Sequence, residues 1–150
     1  MKREELLAKK DDVLDYDAIK EKFPWIFEKN REFVLSPDAD GFYCGILLTA
    51  FLGWKCVGFY DDKNLALKKG CETNDVVFVD VEMFDQNKKS IGNHALLPSN
   101  PKKYKESIDI GFSQCINLNL VRRISHKEYQ SKYPFGTSHL LLSILSTKAL

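Results

Sequence analysis

The chain has no pair of cysteines two residues apart; Cys44, Cys56, Cys71 and Cys115 are spread singly along it. Zinc ribbons and fingers draw their thiolates from close Cys-x-x-Cys pairs, so the spacing argues against a structural zinc site. Cys44, Cys56 and Cys115 stand among apolar neighbours, which reads as buried free thiols of a cytoplasmic protein. A long apolar run is lacking too. No window reaches about 18 uninterrupted apolar residues, which excludes a membrane-spanning helix. The stretch from Met1 to Asp12 is charged and has no apolar core of the signal-peptide kind. Neither sign of charge dominates: 22 Lys and Arg face 21 Asp and Glu, for a formal net charge of +1. Bulk charge therefore gives no reason to bind nucleic acid, and any such contact has to come from local patches. Internal repeats and low-complexity tracts are absent as well.

What is present suffices for one core. The 150 residues, with 44% hydrophobic and 12% aromatic side chains, match a single domain of common size. Leu6, Leu7, Val13, Leu14, Ile19 and Phe23 fit one or two short amphipathic helices ended by Pro24. This predicts an N-terminal helical segment over 1–30, packed on a domain over 31–150.

Within that domain, Arg31 to Pro37 reads as an apolar strand broken by Asp38-Ala39-Asp40-Gly41. Phe42 to Leu52 is almost wholly apolar and predicts a buried helix, closed by Gly53. Trp54 to Tyr60 and Val76 to Val81 are further strands. Lys88 to His94 is a short fourth and Ile116 to Val121 a fifth. Leu65 to Lys69 is too short to assign. Tyr104 to Phe112 and Pro134 to Leu150 read as helices. Strands alternating with helices predict a three-layer α/β fold, with a mostly parallel sheet of about five strands and helices on both faces.

In such folds ligands sit outside the carboxyl ends of the strands. Asp38 and Asp40 follow the first strand there, and Asp80 ends the third. Gathered carboxylates repel one another unless a proton or cation offsets the charge. Mg²⁺ or Mn²⁺ is the usual answer, because hard cations prefer oxygen ligands. His94, after the fourth strand, would add a nitrogen and tilt the choice toward Mn²⁺. The structural alternative stands beside this one. Asp and Gly are ordinary turn residues, Asp40 could cap a helix, and a lone His is often a satisfied group. Glu82 and Asp85 read as solvated, Asp61 and Asp62 as a turn, and His126 and His139 as structural.

The segment F-V-L-S-P-D-A-D-G-F at 33–42 resembles the first motif of the DHH phosphoesterase superfamily, the RecJ-like N-terminal lobe in particular. There an apolar strand ends in Asp-x-Asp-Gly and a buried helix follows. V-F-V-D at 77–80 is similar to its second motif. S-I-G-N-H-A-L at 90–96 stands in the place of the Asp-His-His triplet, and F-G-T-S-H-L-L-L at 135–142 resembles the small-residue helix start that follows. Order and rough spacing agree over about residues 31–150.

The resemblance implies a metal-dependent phosphoesterase, with Asp38, Asp40, Asp80 and His94 as metal ligands and catalytic residues, and Mn²⁺ or Mg²⁺ as cofactor. Its substrate would be a phosphoester, with single-stranded nucleic acid or a nucleotide among the candidates. Departures are equally plain. Ser36 and Pro37 stand where many members have a His, and the triplet reads Gly92-Asn93-His94. The family's fourth acidic motif and C-terminal substrate domain would fall beyond the final helix, so the expectation is a catalytic lobe, with an oligomer or a further domain completing it.

Two rivals remain open. A haloacid-dehalogenase-like phosphatase would use Asp38 as nucleophile and Asp40 as acid/base, although that class wants Thr or Val where Phe42 stands. A binding or assembly module with a decayed site would explain the missing ligands. Lys102-Lys103-Tyr104-Lys105 and Arg122-Arg123 would then be its candidate phosphate contacts, against the plainer reading of a solvated face.

Overall fold

The computed structural model describes residues 14–147. The expected helix positions Leu6, Leu7 and Val13 lie outside the described residues, as does the end of the last helix. Six strands form one sheet: β1 Glu32–Leu35, β2 Lys55–Tyr60, β3 Leu65–Leu67, β4 Val77–Val79, β5 Lys89–Ile91 and β6 Cys115–Ile116. Their order is β3-β2-β1-β4-β5-β6. All neighbours pair parallel except β2 with β3, an antiparallel edge. Around the sheet lie α1 Tyr16–Lys22, α2 Ala39–Leu52, α3 Lys105–Gly111, α4 Leu118–Val121 and α5 Thr137–Ser146.

The central strands bury both faces, which is why they read as unbroken apolar runs. Phe33, Leu35, Val77, Val79 and Ile91 pack under α1, α2 and α5 through Ile19, Phe23, Leu48, Leu141 and Ile144. Residues before β1 thus belong to the same core as the helices after it. The opposite face carries Val34, Val57 and Phe78, covered by Tyr60, Leu67, Cys71 and Met83. Near β6 the cover passes to Leu97, Ile108 and Leu120. Burying a side chain such as Leu48 or Ile144 contributes about 1.5–3 kcal/mol each.

Three expectations change. The fifth strand stops at Ile116, because the Asn117 side chain accepts from Leu120 N at 3.0 Å and so starts α4. The α2 helix is buried on one side only: Phe42, Tyr43, Ile46 and Phe51 are exposed. Cys56 is exposed as well, in the exposed first half of β2. Cys44 and Cys115 are buried. The short segment after Tyr60 forms β3.

No helix among the described residues is long and apolar enough to cross a membrane.

Candidate functional site

Hydrogen bonds bring four strand ends to one rim. Ser36 N donates to Val79 O at 3.1 Å, Asp80 N to Ile91 O at 2.8 Å, and Gly92 N to Ile116 O at 3.0 Å. Ser36, Asp80, Gly92 and Asn117 therefore stand side by side at the carboxyl edge.

Asp38 ends the turn after β1 and caps α2: one carboxylate oxygen accepts from Gly41 N at 2.9 Å, the other from Ser36 Oγ at 2.8 Å. Partial burial by itself would raise its pKa. The bonds from Gly41 and Ser36, the contact with Asp80 and the nearby His94 outweigh that and hold the carboxyl below its usual value. Asp80 is only 2% exposed and sits in the left-handed region at φ 59°. Asp tolerates this better than most residues. Its Oδ1 accepts from Thr137 Oγ1 at 2.5 Å and contacts His94 Nε2 at 2.9 Å. The bond to Asp80 raises the His94 pKa, against a smaller opposing effect of burial.

Asp80 Oδ2 is buried and receives no donor. Its neighbour Asp38 is another carboxylate, and two acceptors hydrogen-bond only with a proton between them. An unpaired buried carboxylate oxygen costs on the order of 1–3 kcal/mol or more. This is the one feature of the rim that ordinary folding does not explain. A pocket of about 340 Å³ opens over it, lined by Asp38, Asp61, Asp62, Asp80, Glu82 and His94.

Asp40 lies elsewhere. Its Oδ2 accepts from Thr137 N at 2.5 Å, and its Oδ1 accepts from Ser138 N at 3.0 Å and from Ser138 Oγ. It is the N-terminal anion of α5, a placement the helix dipole favours. Gly136 makes room for this, since a Cβ there would meet the Asp40 carboxylate at 2.6 Å. The expected set of four thus divides: Asp38, Asp80 and His94 share a pocket, and Asp40 binds a helix start.

Glu82, expected to be solvated, is instead an organiser. Its Oε1 accepts from His94 N at 2.6 Å, Ala95 N at 3.1 Å and Asn117 Nδ2. The fully or nearly buried amides of Asn93, Asn117 and Asn119 form a network behind it. Asn119 Nδ2 donates to Asn93 O at 3.0 Å, and its Oδ1 accepts from Tyr133 N at 2.7 Å. Asn93 Nδ2 donates to Phe135 O. The sequence does carry a signal for Asn117, an Asn heading the run Leu118–Val121. Thr137 and Ser138 were visible as small residues at a helix start, though not as partners of Asp80 and Asp40. Nothing local marks Asn93 or Asn119.

Among the described residues no group of three or more His, Cys, Asp or Glu side chains is placed to hold a metal ion. A two-metal set therefore does not assemble. The donors fit a single hard cation of the Mg²⁺ kind, which needs only one or two carboxylates and completes its shell with water and ligand oxygens. Asp38 and the unpartnered oxygen of Asp80 are those two groups. His94 Nε2 is engaged with Asp80 and would have to leave that bond to ligate. In comparisons with known proteins, no family model, no curated protein and no solved structure matches the chain.

Proposed function

We propose that the rim pocket holds one divalent cation, Mg²⁺ or Mn²⁺, and serves the hydrolysis of a phosphoester. The buried, donorless oxygen of Asp80, on a side chain in contact with the Asp38 carboxylate, carries this reading. Electrostatics point the same way. A pocket with five carboxylates repels a phosphoester unless a cation intervenes. When bound, such a cation supplies Lewis-acid polarisation of a phosphoryl oxygen. The chain's own groups do the rest. Asp38 and Asp80 provide the negative charge, Ser36 and Gly41 fix Asp38, and Thr137 and His94 fix Asp80. Glu82 sets the backbone of His94.

A second reading keeps the fold and drops the chemistry: a binding or assembly module with a decayed site. Asp40 and Asn93 favour it, since both stand at motif positions and both serve structure. The haloacid-dehalogenase-like scheme asks Asp40 to move a proton, which its bonded oxygens do not support. Hydrolysis of bis(4-nitrophenyl) phosphate with added Mn²⁺ separates the readings. Turnover that disappears in Asp80→Asn supports the phosphoesterase. A wild-type chain that binds Mn²⁺ without turning over this ester supports the module.

A further inference from the structure

From Gly41 to Trp54 the chain holds no charged side chain. A helix without a charged face belongs inside a structure, yet the domain covers α2 on one side only. Phe42, Tyr43 and Ile46 on its other side are 61%, 60% and 48% exposed. Beside them on β2, Phe59 is 49% exposed and Cys56 is exposed too. These side chains, with Phe33 and Leu35 beneath, frame one open groove of about 510 Å³ between α2 and β2. Phe84 and Tyr129 are as exposed, but each has a charged neighbour in the chain, Asp85 and Glu128. The α2 face differs in being continuous and free of charge.

Charge, area and shape all select a second copy as its cover. A groove without charged groups offers no handle to an acidic or basic partner, and a chain of net charge +1 does not repel its own copy. At about 150–250 Å² for a whole aromatic side chain, the exposed parts of Phe42, Tyr43, Ile46 and Phe59, with their small neighbours, come to roughly 500 Å². A standard interface takes about 800 Å² from each partner, and in homodimers about 65% of it is apolar, again roughly 500 Å². The helix also fits itself. It has 14 residues, about 21 Å, with Ile46 near its middle. Phe42, Ile46, Thr49 and Ala50 line the groove as one stripe. Two such stripes laid antiparallel about an axis at Ile46 set Phe42 against the partner's Ala50 and Tyr43 against the partner's Thr49. Large then meets small at both ends, and the helix dipoles run opposed.

We propose that the chain forms a two-fold dimer in which α2 lies antiparallel in the α2–β2 groove of a second copy, with Ile46 at the axis. Each α2 then covers the partner's Cys56 and the partner's Phe59. The contact uses the same patch on both copies, so it closes at two. It does not depend on the chemistry read at the rim.

Sedimentation equilibrium of the full chain tests this. At about 10 μM the wild type is expected at twice the 17.3 kDa chain mass. Ile46→Glu sets two like charges face to face at the axis and should weaken association about thirtyfold or more. Phe42→Glu should do the same, while Ile110→Glu, an equally exposed position on α3, should leave the dimer intact. An equal mixture of Ile46→Glu and Ile46→Lys chains should recover dimers, since residue 46 meets its own copy. Circular dichroism checks that each variant is folded. Without any variant, N-ethylmaleimide labelling of Cys56 should slow as the wild type is concentrated, while Cys71, under the opposite face of the sheet, keeps its rate. A monomeric wild type with Cys56 labelled at a constant rate would leave the groove to a different partner and overturn the proposal. So would a dimer that survives both glutamates, or a Glu and Lys mixture that stays monomeric.

Discussion

The carboxyl rim of the sheet has two halves that handle buried polarity in opposite ways. On one side Asn93, Asn117 and Asn119 are buried, Asn93 and Asn119 bonded to each other and Asn117 to Glu82 and nearby backbone, and Asp40 spends both oxygens on the start of α5. On the other side Asp80 is just as buried, yet one of its oxygens has no donor and its neighbour is another carboxylate. The satisfied half is what folding alone would build. The unsatisfied half is held in place at a cost, by Thr137, His94 and a left-handed backbone. Polar groups that answer one another serve structure; the unanswered oxygen of Asp80 is the observation on which the proposed cation site rests.

Substitutions in the satisfied half should cost the most stability and leave cation binding alone. Asn119→Ala strips partners from Tyr133 N and Asn93 O and should destabilise by about 2–4 kcal/mol in urea unfolding. Asp40→Ala removes the anion from the α5 N-terminus and should cost about 1–2 kcal/mol. Gly136→Ala, which crowds Asp40, should resemble it at about 1–3 kcal/mol. A loss of cation response in Asp40→Ala at full stability would erase the division between the halves.

The unsatisfied half should behave in reverse. Asp80→Asn replaces a charge with an amide that can donate to Asp38, so the cation-free protein should melt no lower and up to about 1 kcal/mol more stably. Mg²⁺ or Mn²⁺ should no longer raise its melting temperature. A large loss of stability in Asp80→Asn would make Asp80 one more structural polar group.

The smallest effect is in pH. His94 has its pKa raised above 6.5 by the Asp80 bond. The folded state therefore binds its proton more tightly than the unfolded state does. That contribution is complete below pH 6.5 and is lost as pH rises through the higher folded value. In EDTA the wild-type melting temperature should fall over that window, and His94→Gln should flatten the slope. An unchanged slope would mean that the His94–Asp80 bond is not an ion pair.

How far the sequence carried can be traced residue by residue. The sheet and its layers were legible because Phe33–Leu35 and Val77–Val79 are apolar on both faces and alternate with helical segments. The edge strand β3 was not, since three residues carry no periodicity. The end of β6 was misplaced because Leu118–Val121 suits a strand by composition, and the Asn117 cap overrides it. At the rim, strand ends located Asp38, Asp80 and His94. The partner of Asp40 was hidden, because Thr137 and Ser138 reach it from 97 and 98 residues away. The asparagine network escaped for the same reason. Apart from the local Asn117 cap on Leu120 N, its bonds span loops that only the fold brings together.

The most direct test counts bound Mn²⁺ by electron paramagnetic resonance in wild type, Asp80→Asn and Asp40→Asn. One Mn²⁺ per chain is expected in the wild type and in Asp40→Asn, and none in Asp80→Asn. A wild type that binds no Mn²⁺, or one that loses it equally in both variants, would contradict the account.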